Sequence, residues 1–276
     1  MKASQTVHRQ QAAFRSYFHR EHEMTDPAFK TISPASIPLT TKILRSFVRM
    51  LPSRMQRSAS KWYFFRQIQT GRFRSDEAEW DNLPNWLKPG DWCIDVGANV
   101  GRYSLKMSEL VGASGQVIAF EPLTPTFDLL AHFVEKGNYR NITLLNAAAT
   151  EKTCLIRMAA DFTPLNFAYI FDTNTRSSIS NEDKGIAESK LGLSIDALGL
   201  PHRVALIKVD VEGHELAVCK GMTELILRDH PILIVEDHNN RSGVSEFLEQ
   251  FGYRGLRASS NARNLVFTRN EKNTNS

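Results

Sequence analysis

The sequence predicts an α/β fold: an open, mainly parallel sheet flanked by helices, with an antiparallel finish. Two observations carry this prediction. Short apolar runs alternate with amphipathic stretches over most of the chain, which is the pattern of successive βα units. The clearest run, Trp92-Cys93-Ile94-Asp95-Val96, leads through Gly97-Ala98-Asn99-Val100-Gly101 into the amphipathic segment Arg102-Tyr103-Ser104-Leu105. A buried strand, a tight loop and a helix in that order place a ligand at the strand's carboxyl end.

The remaining elements follow from the same patterns. Residues 1–24 read as a helix with Phe14, Tyr17 and Phe18 on one face, and Pro27, Pro34 and Pro38 then mark a loop. Ile43, Leu44, Phe47, Val48 and Leu51 recur at helical spacing opposite Lys42, Arg45 and Arg49, and Pro52 closes that helix. Residues 75–87 read as a helix broken at Pro84. Helices are expected at 103–111 and 124–136, and strands at 117–121, 142–147, 153–159 and 167–171. Residues 172–190 are polar without apolar periodicity, which predicts a flexible loop beside the sheet's carboxyl edge. A short apolar element at 193–198 precedes a buried strand at 204–210, a helix at 215–227 interrupted at Gly221, and a second buried strand at 231–236. A helix at 244–250 and a hairpin of 253–256 with 264–268 complete the domain, leaving 270–276 as a disordered tail.

Charge divides the chain. Residues 1–74 hold 14 Lys and Arg against 3 Asp and Glu, a balance of +11, while the remainder balances to −7 within an overall +4. A basic helical extension, 1–74, thus precedes an acidic body, 75–269. The helix at 40–51 packs its apolar face on the body in the favoured reading; peripheral contact with an anionic membrane surface is the competing one. Trp62, Tyr63, Phe64 and Phe65 lie among arginines, but no nucleic-acid module accompanies them, so nucleic acid is not an expected partner. The extension is expected to cap the active site. Cys93, Cys154 and Cys219 are far apart and form no C-x-x-C pair, and no apolar run reaches membrane-span length. A cytoplasmic protein, in peripheral contact with membrane under the competing reading, is expected. No feature sets the oligomeric state.

The acid before the glycines discriminates between ligands. A dinucleotide fingerprint is G-x-G-x-x-G, whereas residues 95–101 read D-x-G-x-x-x-G. Asp95 would repel a pyrophosphate, but it suits S-adenosylmethionine, which carries an ammonium and a sulfonium and no phosphate. Glu121 ends the next apolar run, Val117-Ile118-Ala119-Phe120, where an acid takes ribose hydroxyls. Asp95, Gly97, Asn99 and Gly101 are therefore assigned to the methionine end of the cofactor and Glu121 to its ribose. Asn146, ending the third strand, is the candidate for the adenine edge. The bland alternative for the two acids is that they only cap loops.

The runs DVGANVGRYSL, AFEP and Ile207-Lys208-Val209-Asp210-Val211-Glu212-Gly213-His214-Glu215 resemble the FkbM-type family of S-adenosylmethionine-dependent methyltransferases, over roughly residues 77 to 268. The resemblance implies a Rossmann-like class I methyltransferase with a seven-stranded sheet whose last strand inserts antiparallel. It also implies an oxygen acceptor on a small or glycan-like molecule.

The loop after the fourth expected strand brings Asp210, Glu212, His214 and Glu215 into the same crevice. Asp210 would contact the methionine portion or orient the acceptor, and Glu212 or His214 would serve as general base. Glu215 more simply favours the following helix through its dipole. Glu236, Asp237 and His238 end the next strand beside this loop, and His238 is a second candidate base. These acids and imidazoles are compatible with a divalent metal, but their spacing is not a diagnostic motif and no metal is predicted. Two other readings compete: a nicotinamide oxidoreductase, disfavoured by Asp95, and a non-catalytic membrane-associated binding protein, disfavoured by the intact acid set.

Overall fold

A computed structural model describes residues 53–159, 178–179, 187–237, 243–257 and 262–269. The expected helices within 1–24 and 40–51, the strand at 167–171, His238 and the tail at 270–276 lie outside the described residues.

The main sheet has seven strands: β1 (Trp92–Val96), β2 (Gln116–Phe120), β3 (Ile142–Leu145), β8 (Val204–Val209), β9 (Ile232–Glu236), β10 (Tyr253–Leu256) and β11 (Asn264–Arg269). Their spatial order is β10-β11-β9-β8-β1-β2-β3. Strands β3, β2, β1, β8 and β9 run parallel, and β11 inserts antiparallel between β9 and β10. This is the class I methyltransferase arrangement that the resemblance implied. Chain order reverses between β1 and β8, so a crevice opens at their carboxyl ends.

The central strands are continuous apolar runs because helices cover both faces. Alternate residues of each strand enter different cores. Ile94, Ile118, Ile207 and Leu233 pack with Val218, Ile226 and Leu248 on one side. Cys93, Val117, Leu206 and Ile234 pack with Trp80, Trp86 and Met107 on the other. The covering helices are α2 (Ala78–Trp86), α3 (Arg102–Val111), α4 (Thr124–Lys136), α5 (Glu215–Lys220), α6 (Thr223–Asp229) and α7 (Val244–Glu249). The 215–227 segment divides at Gly221 as expected: a Cβ there would lie 2.0 Å from the Thr150 carbonyl oxygen, so the chain must pass close to its neighbour at that point. Pro84 does not break α2, because Leu83 and Trp86 beside it are fully buried and hold the last turn.

Two expectations are corrected. Residues 187–190, read as loop, belong to strand β7 (Ala187–Leu193), which pairs antiparallel with β5 (Cys154–Ala159) and parallel with β4 (Ala148–Ala149). With β6 (Ser178–Ile179), these form a second sheet in the order β4-β7-β5-β6. Leu155 and Leu191 face each other across β5 and β7 and are both exposed, while the ribbon's inward face is Ile156 and Met158 on β5 but Lys190 and Gly192 on β7. Strand β7 therefore leaves no apolar alternation to read. The expected strand at 142–147 also ends at Leu145, since Ala148 and Ala149 leave the main sheet to pair with β7.

The described part of the basic extension is helix α1 (Ser53–Gln69), preceding α2 in the chain. It docks through Phe64, which meets Phe73 and Phe133 edge-on at 6.0 and 6.1 Å between ring centroids. The aromatic run at 62–65 is thus partly a packing device: Phe64 is buried while Trp62 remains exposed. Among the described residues no helix is long and apolar enough to cross a membrane.

Candidate active site

Three loops meet at the crevice, and their backbones are tied together before any ligand is considered. The amides of Gly97 and Ala98 donate to the Phe120 carbonyl at 3.0 and 2.8 Å, and the Asp210 amide donates to the Val96 carbonyl at 3.0 Å. Gly97 and Gly101 have φ of 80° and 92°. A Cβ on Gly97 would lie 1.9 Å from the Asp210 carbonyl oxygen, and one on Gly101 would lie 2.4 Å from Leu130 Cδ1. Gly97 is therefore required by a backbone contact within the protein, and Gly101 by its left-handed backbone, since the Leu130 tip could move aside. Of the two glycines expected to clear space for a ligand, Gly97 lines both cavities of the crevice and Gly101 lines neither.

Glu121 is the junction. It is 5% exposed, its Oε2 accepts the Asn99 amide at 2.8 Å, and its Oε1 accepts the Leu123 amide at 2.8 Å. Burial pushes its carboxyl up to about 7 against the pull of those two amides. Asp95, 2% exposed, accepts the Ser104 hydroxyl at 2.5 Å, and burial raises it to about 6. Asn99 and Glu212 both adopt φ of 51°, in the left-handed region. Such strain in non-glycine residues collects at functional sites.

Two cavities flank this junction. The first is a cleft of about 810 Å³, counting space open to solvent, and runs from Gly97 and Asp210, past Glu121, to an apolar end at Leu123, Ala148, Ala149 and Met158. The second, about 710 Å³ on the same measure, is polar, with Glu77, Asp95, Arg102, Lys208, Glu236 and Arg263 on its walls. Gly97, Asn99, Asp210 and Glu212 line both, so they form the wall between them. His214 lines the first cavity only. None of the described residues of the extension before Ser75 lines either cavity, so among the described residues α1 does not cap this site as expected. Asn146 lines neither; its side-chain amide donates to the carbonyls of Glu121 and Pro122 and steadies the β2 loop.

Asp210, Glu212 and Glu236 each bring a carboxylate oxygen within 4.8 Å of the other two. A cation is already among them: Lys208 Nζ lies 3.1 Å from Asp210 Oδ2. Burial, and then Asp210 beside it, push Glu236 up to about 9, so near neutrality it keeps its proton and hydrogen-bonds Asp210. Without a dication bound, the cluster is an acid–lysine network in which Lys208 offsets the Asp210 charge. Sequence reasoning missed Lys208, which sits in a strand whose pattern is otherwise apolar. It also missed Arg263 and Glu77, which enter the second cavity from elements remote in sequence.

Residues 95–254 match the family model described as the Methyltransferase FkbM domain. The chain belongs to this family. It is 30% identical over 144 residues to the hexuronic acid methyltransferase AglP of Haloferax volcanii, covering 52% of this chain and 54% of that protein. It is 26% identical over 208 residues to the methyltransferase sdnD of Sordaria araneosa, covering 62% of this chain and 75% of that one. The match to the first relative thus spans about half of that relative's length. A solved FkbM methyltransferase from Methylobacillus flagellatus KT is 18% identical, with a TM-score of 0.45 over 68% of this chain and 50% of that chain.

Asp95 and Glu121, two of the raised acids, make the ligand-free protein pH-sensitive. An acid whose folded pKa exceeds its ordinary value binds more protons when folded. Its stabilising contribution is complete below the ordinary value and is lost as pH rises through the folded one. Asp95 contributes a fall in stability between 3.8 and about 6, and Glu121 one between 4.5 and about 7. The thermal midpoint of the ligand-free chain should therefore drop less steeply from about pH 5 to about pH 8 in Asp95→Asn and Glu121→Gln than in the parent. Differential scanning calorimetry across that range measures the slopes; equal slopes in all three proteins would place both acids in ordinary solvent.

Proposed function

We propose that this chain is an S-adenosylmethionine-dependent methyltransferase that methylates a hydroxyl of a small, glycan-like acceptor. The observation that carries this reading is the pair of cavities joined at one wall. The first cavity fits the cofactor by chemistry: an apolar end for adenine, the Glu121 carboxylate for vicinal ribose hydroxyls, and Asp210 with Gly97 and Asn99 at the cationic end. Asp95 stands behind the same loop. The second cavity fits a polyhydroxylated acceptor, because ionised and protonated carboxyls and guanidinium groups there offer both donors and acceptors of hydrogen bonds. The relative that acts on hexuronic acid supports this acceptor class.

When bound, S-adenosylmethionine supplies a methyl group activated by positive sulfur. The protein's task is alignment and proton removal. Gly97, Asn99, Glu121 and Asp210 would hold the cofactor in the first cavity, and the shared wall would align an acceptor hydroxyl in the second with the activated methyl group. The hydroxyl proton passes to a base on the wall. Glu212 lines both cavities and His214 only the first, so the geometry favours Glu212 over His214, while His238 lies outside the described residues. Asp210 orients the acceptor or holds the cationic end of the cofactor. A nicotinamide reading is disfavoured because Glu121 and Asp210 line the first cavity, where a pyrophosphate would have to lie.

Titration calorimetry should detect S-adenosylmethionine and S-adenosylhomocysteine but not NAD. Glu121→Ala should weaken binding by about 1.5–3 kcal/mol, the usual worth of a hydrogen bond to a charged group. Saturation by NAD with silence toward S-adenosylhomocysteine would overturn the cofactor assignment.

Turnover of a glycan acceptor should fall about 10²–10⁴-fold on removing the base, with cofactor affinity retained. Glu212→Gln should show this loss and erase the acid limb of the pH–rate curve, while His214→Ala should be milder. Activity should persist in EDTA. A larger loss in His214→Ala would transfer the role to the imidazole, and abolition by EDTA with rescue by magnesium would replace base catalysis by metal catalysis.

A further inference from the structure

Lys208 is out of place by composition. It lies one residue from the carboxyl end of β8, between β1 and β9, opposite Asp95 on one side and Ile234 on the other, and it is 1% exposed. Every other residue of that strand is apolar. A buried ammonium costs several kcal/mol unless charges and hydrogen bonds offset the loss of water. Here the offset is specific. Asp210 Oδ2 is 3.1 Å away, the Tyr103 ring centroid lies 5.3 Å from Nζ, and Glu77, Glu79, Asp95 and Glu236 act on it or on the same pocket from α2 and its approach, β1 and β9. Arg263 acts on Asp210 from the β11 side.

We propose that Lys208 is a positioning residue for the reaction proposed above: its ammonium, fixed inside the sheet, holds the Asp210 carboxylate ionised and aimed into the wall shared by the two cavities. The inference rests on that functional reading for its purpose, but its physical content does not need it. Asp210 is half-buried and hydrogen-bonded to Glu236, and two adjacent carboxyls share one proton. The lysine decides which of them keeps it. Burial alone would raise Asp210 and lower Lys208, yet each holds the other's charge, leaving Asp210 below its ordinary value and Lys208 above its own. The proton stays on Glu236. The wall then presents one anion, from Asp210, and one O–H donor, from Glu236, in a defined order. Without the ammonium that order would blur, and Asp210 would become part-time neutral where a cationic cofactor and an acceptor hydroxyl must be aligned.

The test follows the carboxyls directly. The full chain, labelled with ¹³C at Asp and Glu carboxyl carbons, is titrated by NMR as the parent, Lys208→Met, Lys208→Gln and Lys208→Arg. Calorimetry with S-adenosylmethionine runs in parallel at about pH 6.5 and about pH 8. In Lys208→Met, Asp210 should titrate at least about one pH unit higher than in the parent, and affinity at the lower pH should fall about tenfold, with partial recovery at the higher pH. Lys208→Arg should keep Asp210 ionised and restore most of the affinity. Lys208→Gln, which keeps length and a donor, should behave as Lys208→Met does and covers the case in which methionine prevents folding. A loss of thermal stability with Asp210 titration and affinity unmoved would overturn the proposal, because Lys208 would then only fill space. Failure of the parent to bind S-adenosylmethionine would sink the methyltransferase reading instead, leaving the titration arm to judge the lysine alone.

Discussion

One buried carboxylate holds the ligand end of this fold together. Glu121 takes the Asn99 amide on one oxygen and the Leu123 amide on the other, each at 2.8 Å, so the loops after β1 and β2 are pinned to a single side chain. Hydrogen bonds to a charged acceptor are among the stronger ones, at about 1.5–3 kcal/mol each. Burial works against them and raises the carboxyl to about 7. The group is thus balanced between a structural state and a titratable one. A ligand that donates to the remaining lone pairs would favour the ionised form.

The rest of the crevice is built outward from that pin. The Gly97 and Ala98 amides reach the Phe120 carbonyl, and the Asp210 amide reaches the Val96 carbonyl, so three strand ends share one hydrogen-bonded rim. Gly97 is required because Asp210 passes too close for any side chain. On the far side of the rim, Lys208, Asp210 and Glu236 form a network that carries the charge pattern of the dividing wall. Position, rather than unusual residues, turns a common sheet into a site: the same four wall residues see both cavities.

Much of this was legible from the residues. The parallel strands read as apolar runs because they are covered on both faces, and their terminal acids stood out for the same reason. Glu121 and Asp210 line the first cavity, while Asp95, expected at the methionine end of the cofactor, is buried behind the loop and lines only the second. The antiparallel insertion of β11 came from family resemblance, since strand order leaves no trace in periodicity. Strand β7 was invisible because its inward positions are Lys190 and Gly192 while Leu191 is exposed, so no apolar alternation marks it. Lys208 escaped because a lone lysine in an apolar run resembles noise until its carboxylate partners, distant in sequence, are placed around it. Asn146 was chosen for its strand-end position, but its side chain turns back to the Glu121 and Pro122 carbonyls.

The central claim is that Glu121 makes the two loops one cofactor-gripping unit. Amide hydrogen exchange at Asn99 and Leu123, followed by NMR with and without S-adenosylhomocysteine, tests it most directly. The account predicts that both amides slow together, by at least about tenfold, on saturation, and that neither does so in Glu121→Ala. Slowing at one amide alone, or no change at either while the ligand is bound, would contradict it.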